Sequence, residues 1–144
     1  MAVNVNIYIT ELTQALFTLL DGNVAYNDDT VPVYSFTTDV GEDYTILIHP
    51  IEASSGANCR DSRSYEYSAQ IEAVARFRQR SGSQVPSNSI ASQIIELIEA
   101  SDFQVTGAVE SAIKVLVGTT YQVNSDGQYV YFRNIIRYNI QLTQ

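Results

Sequence analysis

SAIKVLVGTTYQVNSDGQYVYFRNIIRYNIQLTQ, Ser111 to Gln144, is the stretch from which the fold of this chain is read. Asp126-Gly127, near its middle, is a strong turn signal, because a tight hairpin turn needs positive φ and glycine supplies it without steric cost. Folding the chain about that dipeptide pairs Val123 with Val130, Tyr121 with Phe132, Val117 with Ile136, Val115 with Tyr138 and Ile113 with Ile140. The other face pairs Gln122 with Tyr131, Thr120 with Arg133 and Lys114 with Asn139. A slip of one residue would set apolar against polar side chains along both arms. Turn chemistry and hydrophobic pattern therefore agree on one long C-terminal β-hairpin.

Upstream of the hairpin, Phe103 to Glu110 reads as a linker or short strand. Pro86 to Ala100 has helical spacing, with Ser87 as N-cap and Ile90, Ile94, Leu97, Ile98 and Ser101 on one face, widened by Ile95. Tyr65 to Arg78 alternates strictly. Tyr65, Tyr67, Ala69, Ile71, Ala73, Ala75 and Phe77 share one side, and Glu66, Ser68, Gln70, Glu72, Arg76 and Arg78 make up most of the other. A strand of that length spans roughly 45 Å. Before it, Glu52 to Ser64 is rich in small and polar residues and reads either as a long binding or assembly loop that orders on contact or as a plain flexible loop. It carries Arg60, Arg63 and Cys59. Cys59 has no visible partner base and reads as an incidental loop thiol. Tyr44 to Pro50 reads as a strand covered on both faces, and Val31 to Thr37 as an edge strand because Pro32 lacks a backbone donor. Thr38 to Asp43 would join the two as a hairpin loop. Residues 22–30, with Asp28 and Asp29, read as a solvated loop. The spacing of Val5, Tyr8, Ile9, Leu12, Ala15, Leu16, Leu19 and Leu20 predicts a helix over residues 5–20, capped by Asn4 or Asn6 and ended by Asp21-Gly22-Asn23.

The order is helix, two strands, long strand, helix, long hairpin. It predicts one α+β domain over residues 1–144: an antiparallel sheet of four to five strands with two helices packed on one face.

Composition narrows the function. Eight basic and sixteen acidic residues give a net charge of −8, which disfavours gripping a phosphate backbone or an anionic membrane surface. The first residues have neither a basic segment nor an apolar core, so no secretory signal is expected, and no run is long enough to span a membrane. One histidine and one cysteine cannot make a His/Cys metal site, no phosphate-binding glycine motif is present, and the carboxylates are scattered. His49, at a strand end before Pro50, reads as a boundary residue. No catalytic residue, cofactor or metal is expected.

The positive signals point to assembly. Tyr129, Tyr131 and Ile135 share a hairpin face with Arg133, Arg137, Asn139 and Gln141, a mixture typical of interface cores. Arg76 and Arg78, with Arg80, form the densest basic cluster and suit acids on a neighbouring subunit. The expected contact set is therefore Tyr129, Tyr131, Arg133, Ile135, Arg137, Arg76 and Arg78, with Arg60 and Arg63 from the 52–64 loop.

The chain also resembles the tail terminator, or tail completion, proteins of tailed bacteriophages, including small neck proteins of the head–tail junction. The likeness rests on a helix ending Leu19-Leu20-Asp21-Gly22, then Val31-Pro32-Val33-Tyr34 and Asp43-Tyr44-Thr45-Ile46-Leu47-Ile48. The Tyr65–Phe77 strand, the Ser89–Ala100 helix and an ending Arg137-Tyr138-Asn139-Ile140-Gln141-Leu142 complete it. The resemblance implies a non-enzymatic virion component, assembled in the host bacterial cytoplasm. It would form a homo-oligomeric ring, commonly a hexamer, between tail tube and neck proteins, with DNA passing through the lumen without specific binding. Two other readings stay open: a generic α+β adaptor such as a secretion-machine component, and a small-ligand-binding or hydrolytic domain. The last would have a pocket between sheet and helices lined by Tyr65, Tyr67 and Tyr138.

Overall fold

A computed structural model of the protein describes residues 8–35, 41–54, 58–59, 62–79, 81–101 and 111–143. The elements run α1 (Ile9–Leu20), β1 (Ala25–Tyr26), β2 (Asp29–Thr30), β3 (Val33–Ser35), β4 (Tyr44–Ile48), β5 (Glu52–Ser54), β6 (Asn58–Cys59), β7 (Ser62–Arg78), α2 (Val85–Ala100), β8 (Ser111–Ser125) and β9 (Tyr129–Thr143). The class is α+β. The main sheet has strand order β3-β4-β7-β9-β8, with β5 and β6 also paired to β7. It is mixed, because β3 runs parallel to β4. Residues 38–43 therefore do not close the antiparallel hairpin expected between those strands.

Both helices lie on one sheet face, where a single core joins Leu12, Leu16 and Leu20 of α1 to Ile90, Ile94 and Ile98 of α2. The sheet supplies Ile46, Tyr67, Ile71, Ile136 and Tyr138. α1 keeps the face read from its spacing, and Tyr8, just before it, is also buried. The expected first turn and its caps, Asn4 and Asn6, lie outside the described residues. In α2, Ser87 is not the N-cap. The cap position is Gln84, and the buried Ser87 hydroxyl donates back to the Gln84 carbonyl at 3.1 Å inside the first turn. Burial, then the hydrogen bond from its hydroxyl to Glu99 at 3.0 Å, pushes Tyr138 well above the ordinary tyrosine range.

Two segments read as loops are strands. Asn27 and Asp28 both adopt positive φ and close the β1–β2 hairpin, a conformation that short Asx side chains tolerate. The small, polar stretch after Ile51 contributes β5 and β6, which pair with β7 at Glu52↔Ser68 and Asn58↔Arg63. It has no alternating pattern of its own. Its pairing is directed by β7, which extends beyond the end of β4.

The C-terminal hairpin is present in a different register. The last pair before the turn is Ser125↔Val130, and Val123 faces Phe132 rather than Val130. The turn residues are Gly127-Gln128, flanked by Asp126 and Tyr129, with Asp126 N donating to Tyr129 O at 3.2 Å. Positive φ falls on Gly127 (92°) and not on Gln128, the pattern of a type II′ turn with glycine first. Asp126 is the flanking acceptor: its Oδ1 takes the amides of Gln128 (2.9 Å) and Tyr129 (2.8 Å). This moves the centre of the hairpin by one residue and the pairing by two, which preserves the faces. A bulge between Leu116 and Gly118 then shifts the pairing by one and exchanges them. Ile113 and Val115 consequently leave the face of Tyr121 and Val123, and Lys114 turns towards the helices.

Candidate assembly surface

The long strand β7 and its neighbour β9 share a fifteen-pair register, in which Gln70 faces Arg137, Glu72 faces Ile135, Val74 faces Arg133 and Arg76 faces Tyr131. Alternation puts the even-numbered residues of β7 and the odd-numbered residues of β9 on the face away from the helices. Arg76, Arg78, Tyr129, Tyr131, Arg133, Ile135 and Arg137 are therefore brought together on one face. Arg63 lies in β7, of which only the backbone is described at that position. Arg60 and Arg80 lie outside the described residues.

The face is partly self-supporting. The Arg76 guanidinium sits 4.3 Å from the Tyr129 ring centroid and 3.3 Å from Asp43 Oδ1. Arg133 lies 5.5 Å from the Tyr131 ring centroid, and the Tyr131 hydroxyl donates to Asp126 at 2.9 Å. Ile135 is only 8% exposed, so it supports the face from within and is not a contact residue as the sequence suggested. Arg78 and Arg137 are exposed and form no ion pair with a described carboxylate.

At the centre lies a charge that sequence spacing could not place. Glu72 is 3% exposed, and its two carboxylate oxygens take different partners: Oε1 accepts from Arg133 Nη1 at 3.2 Å, and Oε2 contacts His49 Nε2. His49 is the partly exposed residue just past a strand end that its position before Pro50 suggested, and it also touches the buried Glu72 carboxylate. It is contributed from the end of β4, where the register Leu47↔Glu72 sets it beside the carboxylate. Leu47 and Val74 are fully buried on this same face against Tyr131, forming a small second core. A cleft of about 350 Å³ opens beside the cluster, lined by His49, Glu52, Ser68, Gln70, Arg137 and Asn139 among others. Of the tyrosines expected to line a pocket between sheet and helices, Tyr67 and Tyr138 are each 1% exposed and fill the main core, and the Tyr65 side chain lies outside the described residues.

The helix side carries its own polar anchors. Asn134, buried on that face, donates to Asn88 Oδ1 at 2.6 Å and Ser87 Oγ at 3.3 Å, at the start of α2. Lys114, the only lysine of the chain, donates to the Ile98 carbonyl at 2.7 Å and also to the Ser101 carbonyl, at the end of α2. A cation there meets the unsatisfied carbonyls and the negative end of the helix dipole. Lys114 was expected opposite Asn139 on the polar face. The bulge is what brings it to the helix.

The most exposed apolar surface is one the sequence pattern concealed. Ile113, Val115, Leu116, Val117, Tyr121 and Val123, all on β8, make up six of the nine exposed large hydrophobics among the described residues. Among the described residues β8 pairs only with β9 and forms an edge of the sheet. Among the described residues no helix is long and apolar enough to cross a membrane, and no three His, Cys, Asp or Glu side chains converge as a metal site. No protein-family profile matches the chain, and no curated protein matches it significantly in sequence.

Proposed function

We propose that this protein is a structural, non-enzymatic subunit of a tailed-bacteriophage virion: a tail terminator or neck component that forms a ring at the head–tail junction. The observation that carries the reading is a pair of exposed arginines, Arg78 and Arg137, that form no ion pair with a described carboxylate on the sheet face away from both helices. In a chain of net charge −8, Arg76, Arg78, Arg133 and Arg137 share the sheet face that no helix covers. Arg76 and Arg133 are paired within the copy to Asp43 and Glu72, and the exposed Arg78 and Arg137 are complementary to the acidic surface of another copy. Contact between two different surfaces is heterologous, and it closes into a ring when the rotation per subunit divides the circle. An acidic lumen would let DNA pass without gripping it. The partners on either side would be tail tube and neck proteins, met in the host bacterial cytoplasm, and the role requires no cofactor.

The test is the mass of the purified protein by light scattering across a concentration series, together with negative-stain images of the assembled fraction. A discrete ring with an axial hole, lost in the double variant Arg78→Glu/Arg137→Glu, is the expected result. Both positions are exposed, so the variant should keep the wild-type unfolding midpoint. A ring that survives the double charge reversal removes the basic face from the contact. Absence of any ring, alone or with tail tube protein added, removes the virion reading.

A further inference from the structure

We propose that β8 is a self-pairing edge: two copies join antiparallel through Gly118–Asp126 about a two-fold axis, continuing one sheet into the next. The inference is independent of the virion reading. A two-fold contact cannot by itself close a ring, so this is a second contact, separate from the basic face.

The backbone shows which groups are available. In the type II′ hairpin Asp126 and Tyr129 flank the turn as a hydrogen-bonded pair. Bonded and non-bonded pairs alternate away from it, so Asn124, Gln122, Thr120 and Gly118 direct their amides and carbonyls to β9. Thr119, Tyr121, Val123 and Ser125 direct theirs outward, along the open edge. Such a row is a template for another strand.

The occupant follows from length and charge. Among the described residues the opposite edge of the sheet, β3, has three residues, while the long strands β7 and β9 are already paired on both sides, so of the edges only β8 itself matches the length of β8. Val115 to Ser125 contains no charged residue. On a molecule of net charge −8, this strip lets two copies meet without setting carboxylate against carboxylate.

The bulge at Val117 and the turn bound the regular stretch to Gly118–Asp126, whose midpoint is Gln122. Pairing symmetrically about Gln122 sets Tyr121 opposite Val123 twice, Thr119 opposite Ser125 twice, and Gln122 opposite its own copy. Aromatic–β-branched and hydroxyl pairs of this kind favour a sheet. The outward row Thr119, Tyr121, Val123 and Ser125 would be consumed in full. The two-fold axis stands perpendicular to the sheet, so the helices of both copies lie on the same side and the exposed Tyr121 and Val123 side chains are covered.

The experiment uses the full chain with Cys59→Ser as background. Gln122→Cys stands opposite itself across the axis, at a Cα separation of about 4.5 Å for a non-hydrogen-bonded pair, which is within the span of a disulfide. It should give a disulfide-linked dimer on mild oxidation. Thr120→Cys, opposite Asn124, should not. In sedimentation, the wild type should contain a dimer or an even multiple of it. Tyr121→Lys and Val123→Pro should lose that two-fold step while keeping the wild-type circular dichroism and unfolding midpoint. Val123→Pro removes only a donor that β9 does not use. Three results would overturn the proposal: a wild type that is monomeric at every concentration, equal cross-linking of the two cysteine variants, or a two-fold step that survives both edge substitutions.

Discussion

Glu72 shows how one residue changes meaning once its neighbours are known. In the sequence it is one polar position among several on the outer side of a strand. In the structure it is a buried carboxylate paired with Arg133 of β9 and in contact with His49 just after β4. Removing one partner of a buried ion pair leaves an uncompensated charge, so Arg133→Met should lower stability by about 3–5 kcal/mol. Chemical denaturation would measure this, and a loss under 1 kcal/mol would mean that the carboxylate does not depend on this guanidinium. Asp126 was legible as a turn residue, though its place in the turn was not. The Tyr129 and Gln128 amides and the Tyr131 hydroxyl hold its carboxyl below the usual aspartate range. A carboxyl held low in the folded state stabilises the fold above its unfolded-state value, and that contribution fades as pH falls through the folded-state value. The wild type should therefore lose more stability than Asp126→Asn on acidification through this range, with the Gln128 and Tyr129 amide resonances titrating only in the wild type. Equal acid sensitivity would show that the turn does not depend on the charge.

At the scale of elements, β8 and β9 were recognised as a hairpin, but two local devices decided how they meet. The type II′ turn moves the pairing by two residues, and the bulge at Val117 moves it back by one. The first leaves every face unchanged. The second carries Lys114 to the end of α2, where it caps the helix from across the core. No periodicity argument finds such a bulge, because Val117 is itself apolar and β-branched and fits the strand pattern on either side. The β7–α2 connection has a similar dependence. Gly82 has φ +129°, and a Cβ there would lie 2.5 Å from Phe132 Cε2 and 3.1 Å from Phe77 Cδ2. Those two rings meet edge to face at 5.6 Å between centroids. Gly82→Ala combines backbone strain with displacement of a packed ring, and should cost about 1–3 kcal/mol. A thermal midpoint equal to wild type would show that the connection yields freely. The β5 and β6 strands were read as a loop because small polar residues carry no alternation, and their order is borrowed from β7.

For the whole molecule, the two surfaces left open differ in chemistry, and that difference is measurable. The basic face is electrostatic and partly exposed, so contacts through it should weaken as salt is raised. The β8 edge pairs through backbone hydrogen bonds and apolar side chains, so its contact should persist. Light scattering in low and high salt should show a larger assembly that falls to a salt-resistant dimer. An assembly indifferent to salt would dissociate the basic face from the contact. Taken alone, the sequence determined the two helices, the longer strands β4, β7, β8 and β9, and which side chains of β7 and β9 share a face. Those properties follow from the 3.6-residue and two-residue periods of the backbone, which each segment carries within itself. The tertiary structure decided the register of the hairpin, the position of Lys114, the partners of Glu72 and the exposure of β8. Each of these depends on which strand lies alongside, and a strand's pattern reports its own two faces but not whether its edge is met by a neighbour.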